Sequence, residues 1–262
     1  MSRRNHETTN PNLVIGGTHG PPETIGLELC DSLQKDPIGE WDHEIGNIEA
    51  VKQGRRFIDR NLALAYNEAN HDSPVYEERR AAQLLDLVEG REVVLDIHDL
   101  PGDQKNEFVA IGAKADPRLL SIAAFLGIEN AVVFHTAQTR LPEKSDRTLL
   151  IELGRGHNNN ELVAPNVIRL RECMGKIAAN QLPLAIATGS FNYFERAVEV
   201  TTAEAKALAL PSDRIEPFDT IPPEILRALQ KPERDLPPGD YVADYWTGEV
   251  QVPIGLGVFL DA

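Results

Sequence analysis

Apolar positions in the first two thirds of the chain come as short continuous runs separated by amphipathic stretches. Leu13-Val14-Ile15 is a compact apolar run closed by Gly16-Gly17, which predicts a buried strand followed by a loop. Between Thr24 and Gln34, apolar residues at 25, 27, 29, 30 and 33 predict a helix. Asn47 to Asp59 reads as strand or extended chain. Tyr76 to Glu89 is an amphipathic helix, with Leu84, Leu85 and Val88 on one side and a charged group of Glu77, Glu78, Arg79 and Arg80. Arg91 to Ile97 contains Val93-Val94-Leu95 and predicts a strand running directly into His98. Further strands are expected at Phe108 to Gly112, Ala131 to His135 and Thr148 to Leu153, with helices at Arg118 to Leu126 and Pro165 to Gln181.

Strands alternating with helices imply a three-layer α/β/α domain, an α/β fold in which ligand sites gather beyond the carboxyl ends of the strands. His19, His98 and Glu152 all fall at such ends. Past about Pro183 proline and glycine become frequent. Short β-like pieces appear at Arg196 to Thr201, Tyr241 to Tyr245 and Val250 to Ile254, with a turn at Pro237-Pro238-Gly239-Asp240. The expected organisation is a mobile tail over 1–11, a catalytic-type domain over 12–185 and a small β-rich C-terminal lobe over 186–262.

Composition narrows the function classes. Of 262 residues, 42% are hydrophobic and 26% charged, as in an ordinary folded globular protein. No apolar run approaches eighteen residues, so a membrane-spanning helix is not expected. The first ten residues carry two arginines with no apolar stretch behind them, unlike a secretory signal, and a cytoplasmic location is expected. Lys plus Arg is 26 against 41 Asp plus Glu, a net charge of −15. That field repels phosphate backbones and anionic lipid, so neither nucleic acid nor membrane is expected as a partner. A small-molecule substrate is, and homo-oligomerisation is possible. Cys30 and Cys173 form no Cys-x-x-Cys pair and read as small buried hydrophobes.

A catalytic zinc keeps three protein ligands and one open position, and with two cysteines the donors here must be His, Asp or Glu. Gly16-Gly17-Thr18-His19-Gly20 places a histidine on a glycine-rich loop just past a strand, and Glu23 follows four residues later. Asp96-Ile97-His98 offers a second histidine. Residues two apart on a strand share a side, so Asp96 can orient His98. Ile151-Glu152-Leu153-Gly154 puts a carboxylate at the end of an otherwise apolar strand. An unpaired buried carboxylate is costly. It is either held by a nearby cation such as Arg155, or serves as a general base.

Taken in order, Gly-Gly-Thr-His-Gly…Glu23, Arg55-Arg56-Phe57-Ile58-Asp59, Tyr76-Glu-x-Arg-Arg-Ala81, Asp96-Ile-His98 and Glu152-x-Gly154 resemble the aspartoacylase/succinylglutamate desuccinylase family. Leu236-Pro-Pro-Gly-Asp240 is similar to its C-terminal turn. The resemblance implies a zinc-carboxypeptidase-like fold with a mixed sheet and hydrolysis of an amide of a small N-acyl compound. It also implies Zn2+ held by His19, Glu23 and His98, Glu152 as general base and then proton donor, and Arg56 polarising the scissile carbonyl. An ion pair with Asp59 or a helix carboxylate is the structural alternative for Arg56. The activity alternatives are a carboxypeptidase-like peptidase and a non-catalytic descendant that binds a small molecule.

Three departures bear on this expectation. The family spaces its first two ligands as His-Gly-Asn-Glu, whereas this chain has His19-Gly-Pro-Pro-Glu23, so the extra residue either bulges outward or displaces Glu23. The Asn-Arg pair that grips the substrate carboxylate in the family is replaced by Ala63 and Leu64, leaving Arg55, Arg60 or Arg155 as possible substitutes. His98 is followed by Asp99-Leu100 in place of Asn and Thr, an expected change in the pocket wall. His157, just past the proposed base, can line the pocket or sit on an exposed loop.

Overall fold

In the computed structural model of the chain, residues 10–21, 23–100, 107–116, 118–134, 140–154 and 161–182 are described in full, and 117, 192–200, 241–245 and 254–259 as backbone. The elements before residue 100 are β1 (Asn12–Gly16), α1 (Ile25–Lys35), β2 (Trp41–Ile45), α2 (Ile48–Gln53), α3 (Tyr76–Val88) and β3 (Val93–Asp99). Then follow β4 (Phe108–Gly112), α4 (Leu120–Phe125), β5 (Asn130–Phe134), α5 (Leu141–Lys144), β6 (Thr148–Leu153) and α6 (Val163–Ala178).

Strands β2, β1, β3 and β6 run parallel in that order; β4 joins β6 antiparallel and β5 joins β4 parallel. The six form a mixed sheet. Backbone pairing continues beyond β5 through β7 (Asn192–Val200), β9 (Ile254–Phe259) and β8 (Tyr241–Tyr245). The rest of the expected C-terminal lobe, like residues 1–9 of the expected tail, lies outside the described residues.

Strands β1, β3 and β4 are buried along their whole lengths; helices cover both faces of β1 and β3, which is why Leu13-Val14-Ile15 and Val93-Val94-Leu95 are consecutive apolar residues. The period of two sorts their side chains. Val14, Leu95, Ile97, Leu149 and Ile151 face a core shared with Ile25, Leu29 and Leu33 of α1, Ile122 of α4 and Leu170 and Met174 of α6. Leu13, Ile15 and Val94 face the other way, against Ala81, Leu84 and Val88 of α3 and Leu62 and Tyr66 of the 3-10 turns before it. Each fully buried Leu or Ile contributes about 1.5–3 kcal/mol by leaving water. Cys30 and Cys173 are buried in the first of these cores as free thiols, and burial pushes the Cys30 thiol up to about 12, so it stays protonated.

One expectation fails. Within Asn47 to Asp59, residues Ile48–Gln53 form helix α2 where strand or extended chain was expected. Asn47 accepts the Ala50 N–H at its start, and Gly54 closes it in the left-handed conformation at φ 63°. Those local caps outweigh the β-leaning run of Ile and Val. Among the described residues no helix is long and apolar enough to cross a membrane.

Candidate metal centre

His19 rides on the loop three residues past β1. The loop is tied to the turn before α2 by two backbone bonds, Gly46 N–H to Gly16 (2.8 Å) and Asn47 N–H to Gly17 (2.9 Å). Gly20 donates its N–H to the Arg56 carbonyl at 3.0 Å, and a β-carbon at Gly20 would overlap the Arg55 carbonyl. Glycine is therefore required where this loop touches the segment bearing Arg56.

Glu23 enters from the start of α1. Thr24, the residue at that helix's N-cap, makes no capping bond; Asp99 supplies it from the end of β3. Its carboxylate accepts the Thr24 N–H at 2.6 Å, the Thr24 hydroxyl at 3.0 Å and the Ile25 N–H at 3.1 Å. So Asp99, whose place beside His98 was expected to alter the pocket wall, neutralises the positive end of α1 and ties Glu23's neighbour to the strand carrying His98.

The three side chains meet. Glu23 Oε2 accepts the His19 backbone N–H at 2.9 Å, and Oε1 lies 2.5 Å from His19 Nδ1 and 3.3 Å from His98 Nδ1. One donor atom from each residue falls within 4.8 Å of the others, and all three residues are buried. The longer His19–Glu23 spacing has thus not displaced Glu23. The far nitrogens are also held. His19 Nε2 is 2.9 Å from Asn61 Oδ1. His98 Nε2 is 3.1 Å from Asp96 Oδ2, within ion-pair reach though off the line of a good hydrogen bond, while Thr18 donates to Asp96 Oδ1 at 3.0 Å.

Burial sets the electrostatics, with neighbours modifying it. Burial works against the Glu23 carboxylate, yet the two imidazoles overcome it and hold its pKa well below the usual carboxylate range. Burial lowers His19, opposed by Glu23 and reinforced by Arg56 and His98. For His98 burial is again the largest single effect, but Asp96 and Glu23 together outweigh it and its pKa rises.

Glu152 sits on β6 in register with His98 on β3. Its Oε2 is shielded from solvent and has no hydrogen-bond partner among the described residues. Burial, with repulsion from Glu23 and Asp99, lifts this carboxyl to about 7 against the pull of His98 and Arg140. Arg155 and His157 lie outside the described residues. Arg56 is half-buried and close enough to lower the pKa of His19. It forms no ion pair among the described residues, and its suggested partner Asp59 instead accepts the Tyr76 N–H at 2.8 Å, capping α3.

The Arg56 segment is held by Glu77, read from the sequence as part of a charged group on α3. Glu77 is fully buried. It accepts the backbone N–H groups of Ile58 (2.6 Å), Asp59 (3.0 Å) and Arg60 (3.2 Å), and the Asn47 side chain at 3.2 Å. Arg60 does not face the site as a spare cation, because its guanidinium pairs with Glu78 at 3.0 Å and Glu68 at 3.5 Å. Sequence reasoning missed Asn61, Glu77 and Arg140. The signal for Asn61 was an Asn two residues before a backbone N–H that it caps, Ala63 at 2.9 Å. The signal for Glu77 was only its place in the Tyr-Glu-x-Arg-Arg-Ala motif.

Residues 9–171 match the family model of the succinylglutamate desuccinylase/aspartoacylase catalytic domain. The chain belongs to this family. A probable aspartoacylase of Parasynechococcus marenigrum (strain WH8102) is 31% identical over 191 residues, covering 64% of this chain and 61% of the relative. A probable aspartoacylase of Prochlorococcus marinus (strain MIT 9515) is 29% identical over 113 residues, 39% of this chain and 38% of the relative. In both cases the match spans less than two thirds of the relative's length. Among solved structures, the succinylglutamate desuccinylase of Chromobacterium violaceum superposes with a TM-score of 0.71 at 16% identity, covering 95% of this chain and 85% of that one. Murine aminoacylase 3 gives a TM-score of 0.65 at 15% identity, covering 99% and 97%. At such identities these two likenesses speak for the fold.

Proposed function

We propose that the protein is a zinc-dependent hydrolase that cleaves the amide bond of a small N-acyl compound, with His19, Glu23 and His98 as the metal ligands. The observation that carries this reading is the convergence of one ring nitrogen from each histidine and one carboxylate oxygen within 4.8 Å, beside a carboxylate whose Oε2 has no hydrogen-bond partner among the described residues. Two imidazoles and one carboxylate are a donor set that suits zinc with a position left open. When bound, zinc would supply Lewis acidity that polarises a carbonyl and lowers the pKa of water.

The remaining chemistry falls to the chain's own residues. Glu152, with its pKa at about 7, can take a proton from the attacking water near neutrality and return it to the departing nitrogen. The carbonyl carbon gains an oxygen, the C–N bond breaks, and a carboxylate and an amine leave. Arg56 stays cationic and can direct two donors at the oxygen that becomes negative. Because Ala63 and Leu64 replace the family's Asn-Arg pair and Arg60 is engaged by Glu78 and Glu68, an uncharged part of the substrate belongs beside them.

Metal analysis of the purified protein tests the reading. About one zinc per chain, lost in His98→Ala, is expected, and no metal under replete conditions would overturn it. Glu152→Ala should retain zinc and lose turnover across a panel of N-acyl amino acids and neutral amides. Unchanged turnover would remove Glu152 as the base.

A further inference from the structure

The geometry points to Asn61 as a positioning residue that fixes the His19 tautomer, and with it the lone pair that His19 offers to a metal. This inference rests on the metal reading above. The argument begins with an atom whose identity is forced. The Ala63 backbone N–H can only donate, and it lies 2.9 Å from Asn61 Oδ1, so the amide's oxygen and not its nitrogen faces this corner. The same oxygen lies 2.9 Å from His19 Nε2. An amide oxygen accepts, so Asn61 favours the proton on Nε2; without a metal Glu23 Oε1, 2.5 Å from Nδ1, competes for that proton, and a cation between Nδ1 and Oε1 removes the competition and leaves Nε2–H facing Asn61. The ring's single lone pair is then on Nδ1, the atom turned toward Glu23 Oε1 and the meeting point with His98. The other tautomer would set two lone pairs against each other at Asn61 and aim a proton at the metal position.

The two histidines are therefore backed differently. Asp96 places a charged carboxylate behind His98, while Asn61 places a neutral acceptor behind His19. A neutral acceptor fixes a ring without adding a further negative charge to a site that already gathers Glu23, Asp96, Asp99 and Glu152. Asn61 is itself well anchored. It directly follows Arg60, the last of the three residues whose N–H groups Glu77 holds.

The test uses Asn61→Ser, Asn61→Asp and the parent. Serine remains a good cap for the Ala63 N–H but is too short to reach His19 as well, so it separates the capping role from the positioning role. Zinc affinity is measured by chelator competition, stability by urea unfolding of the metal-free proteins, and the His19 tautomer by nitrogen-15 NMR of the imidazoles. Asn61→Ser is expected to bind zinc about 10–100-fold more weakly. Its metal-free unfolding should match the parent, and its metal-free His19 should shift toward the Nδ1–H form that Glu23 favours. Asn61→Asp, which keeps the acceptor atom, should restore at least the parental affinity and the Nε2–H form. Parental affinity in Asn61→Ser, or an equal loss in Asn61→Asp, would overturn the inference while leaving the metal site standing. Failure of the parent itself to bind zinc would instead bring down the metal reading and this inference with it.

Discussion

His98 and Glu152 stand in register on neighbouring parallel strands, β3 and β6, so a candidate ligand and the candidate base lie one strand apart on the same face of the sheet. Of the two, only Glu152 lacks a charged partner on its own strand, since His98 has Asp96 two residues before it. The fold thus holds a carboxyl at about 7 where an unfolded chain would ionise it near 4.5. Between those values the folded state binds the extra proton, so stability on this account is greatest below 4.5 and is lost as pH rises through 7. Glu152→Gln should therefore stabilise the metal-free protein at pH 8 by about 1–3 kcal/mol and leave it nearly unchanged at pH 4.5. Urea unfolding at the two pH values measures the difference; equal effects at both would contradict the raised pKa.

The same group sets the direction of the activity profile. A base must be unprotonated to act, so kcat/KM should rise with pH and level off once Glu152 is ionised. Bound zinc adds positive charge nearby, which should place the midpoint below 7. A rate that falls across pH 5 to 7 would exclude Glu152 from this role.

Glu77 should prove more important than its place among surface-type charges suggests. Glu77→Gln turns an amide N–H₂ toward backbone N–H groups that now share two carboxylate oxygens. Loss of about 2–4 kcal/mol is expected, from buried donors left without acceptors. At a temperature where the variant remains folded, turnover should still fall, because Arg56 and Asn61 both belong to the segment that Glu77 holds. Full turnover in the folded variant would limit Glu77 to a stability role.

Arg56→Ala should lower kcat about 10²–10³-fold with zinc content and unfolding unchanged, the size expected for losing one oxyanion donor. Arg56→Lys should recover only part of this, since an ammonium lacks the guanidinium fork. An effect confined to KM would make Arg56 a substrate-binding group.

Gly16→Ala probes the contact that brings β1 and α1 together. A β-carbon there would overlap the backbone of Gly26, and Gly26→Ala would in turn press on Gly16 Cα and the Ile97 carbonyl. Separating the two elements should cost about 1–3 kcal/mol. It should also weaken zinc binding, because β1 leads to His19 and α1 follows Glu23. Thermal unfolding and chelator competition on the same variant read the two effects.

The buried parallel strands were legible because strands covered on both faces need consecutive apolar residues, as in Val93-Val94-Leu95. Helices α1, α3 and α6 showed through their spacing. Strand β2 did not, because Asp42, His43 and Glu44 interrupt it; among the described strands it lies at the sheet's edge, paired with β1 alone. Its role is partly electrostatic, with Arg80 of α3 buried against Glu44 and the Ile45 carbonyl at 2.6 Å. The grouping of His19, Glu23 and His98 could be expected from motif order, but what holds these side chains in place could not. Asn61 reaches His19 across 42 positions and Asp99 reaches Thr24 across 75, distances over which one sequence carries no spacing signal.

The extra residue between His19 and Glu23 has a wider consequence. Each end of that segment is secured independently: the Gly16–Gly20 side by the turn before α2 and the Arg56 segment, the Glu23 side by the cap that Asp99 places on α1. With both anchors in place, a change in the number of residues between them need not move either side chain. A search pattern that insists on His-x-x-Glu would pass over chains of this kind, whereas one that scores the strand and helix anchors on either side would keep them.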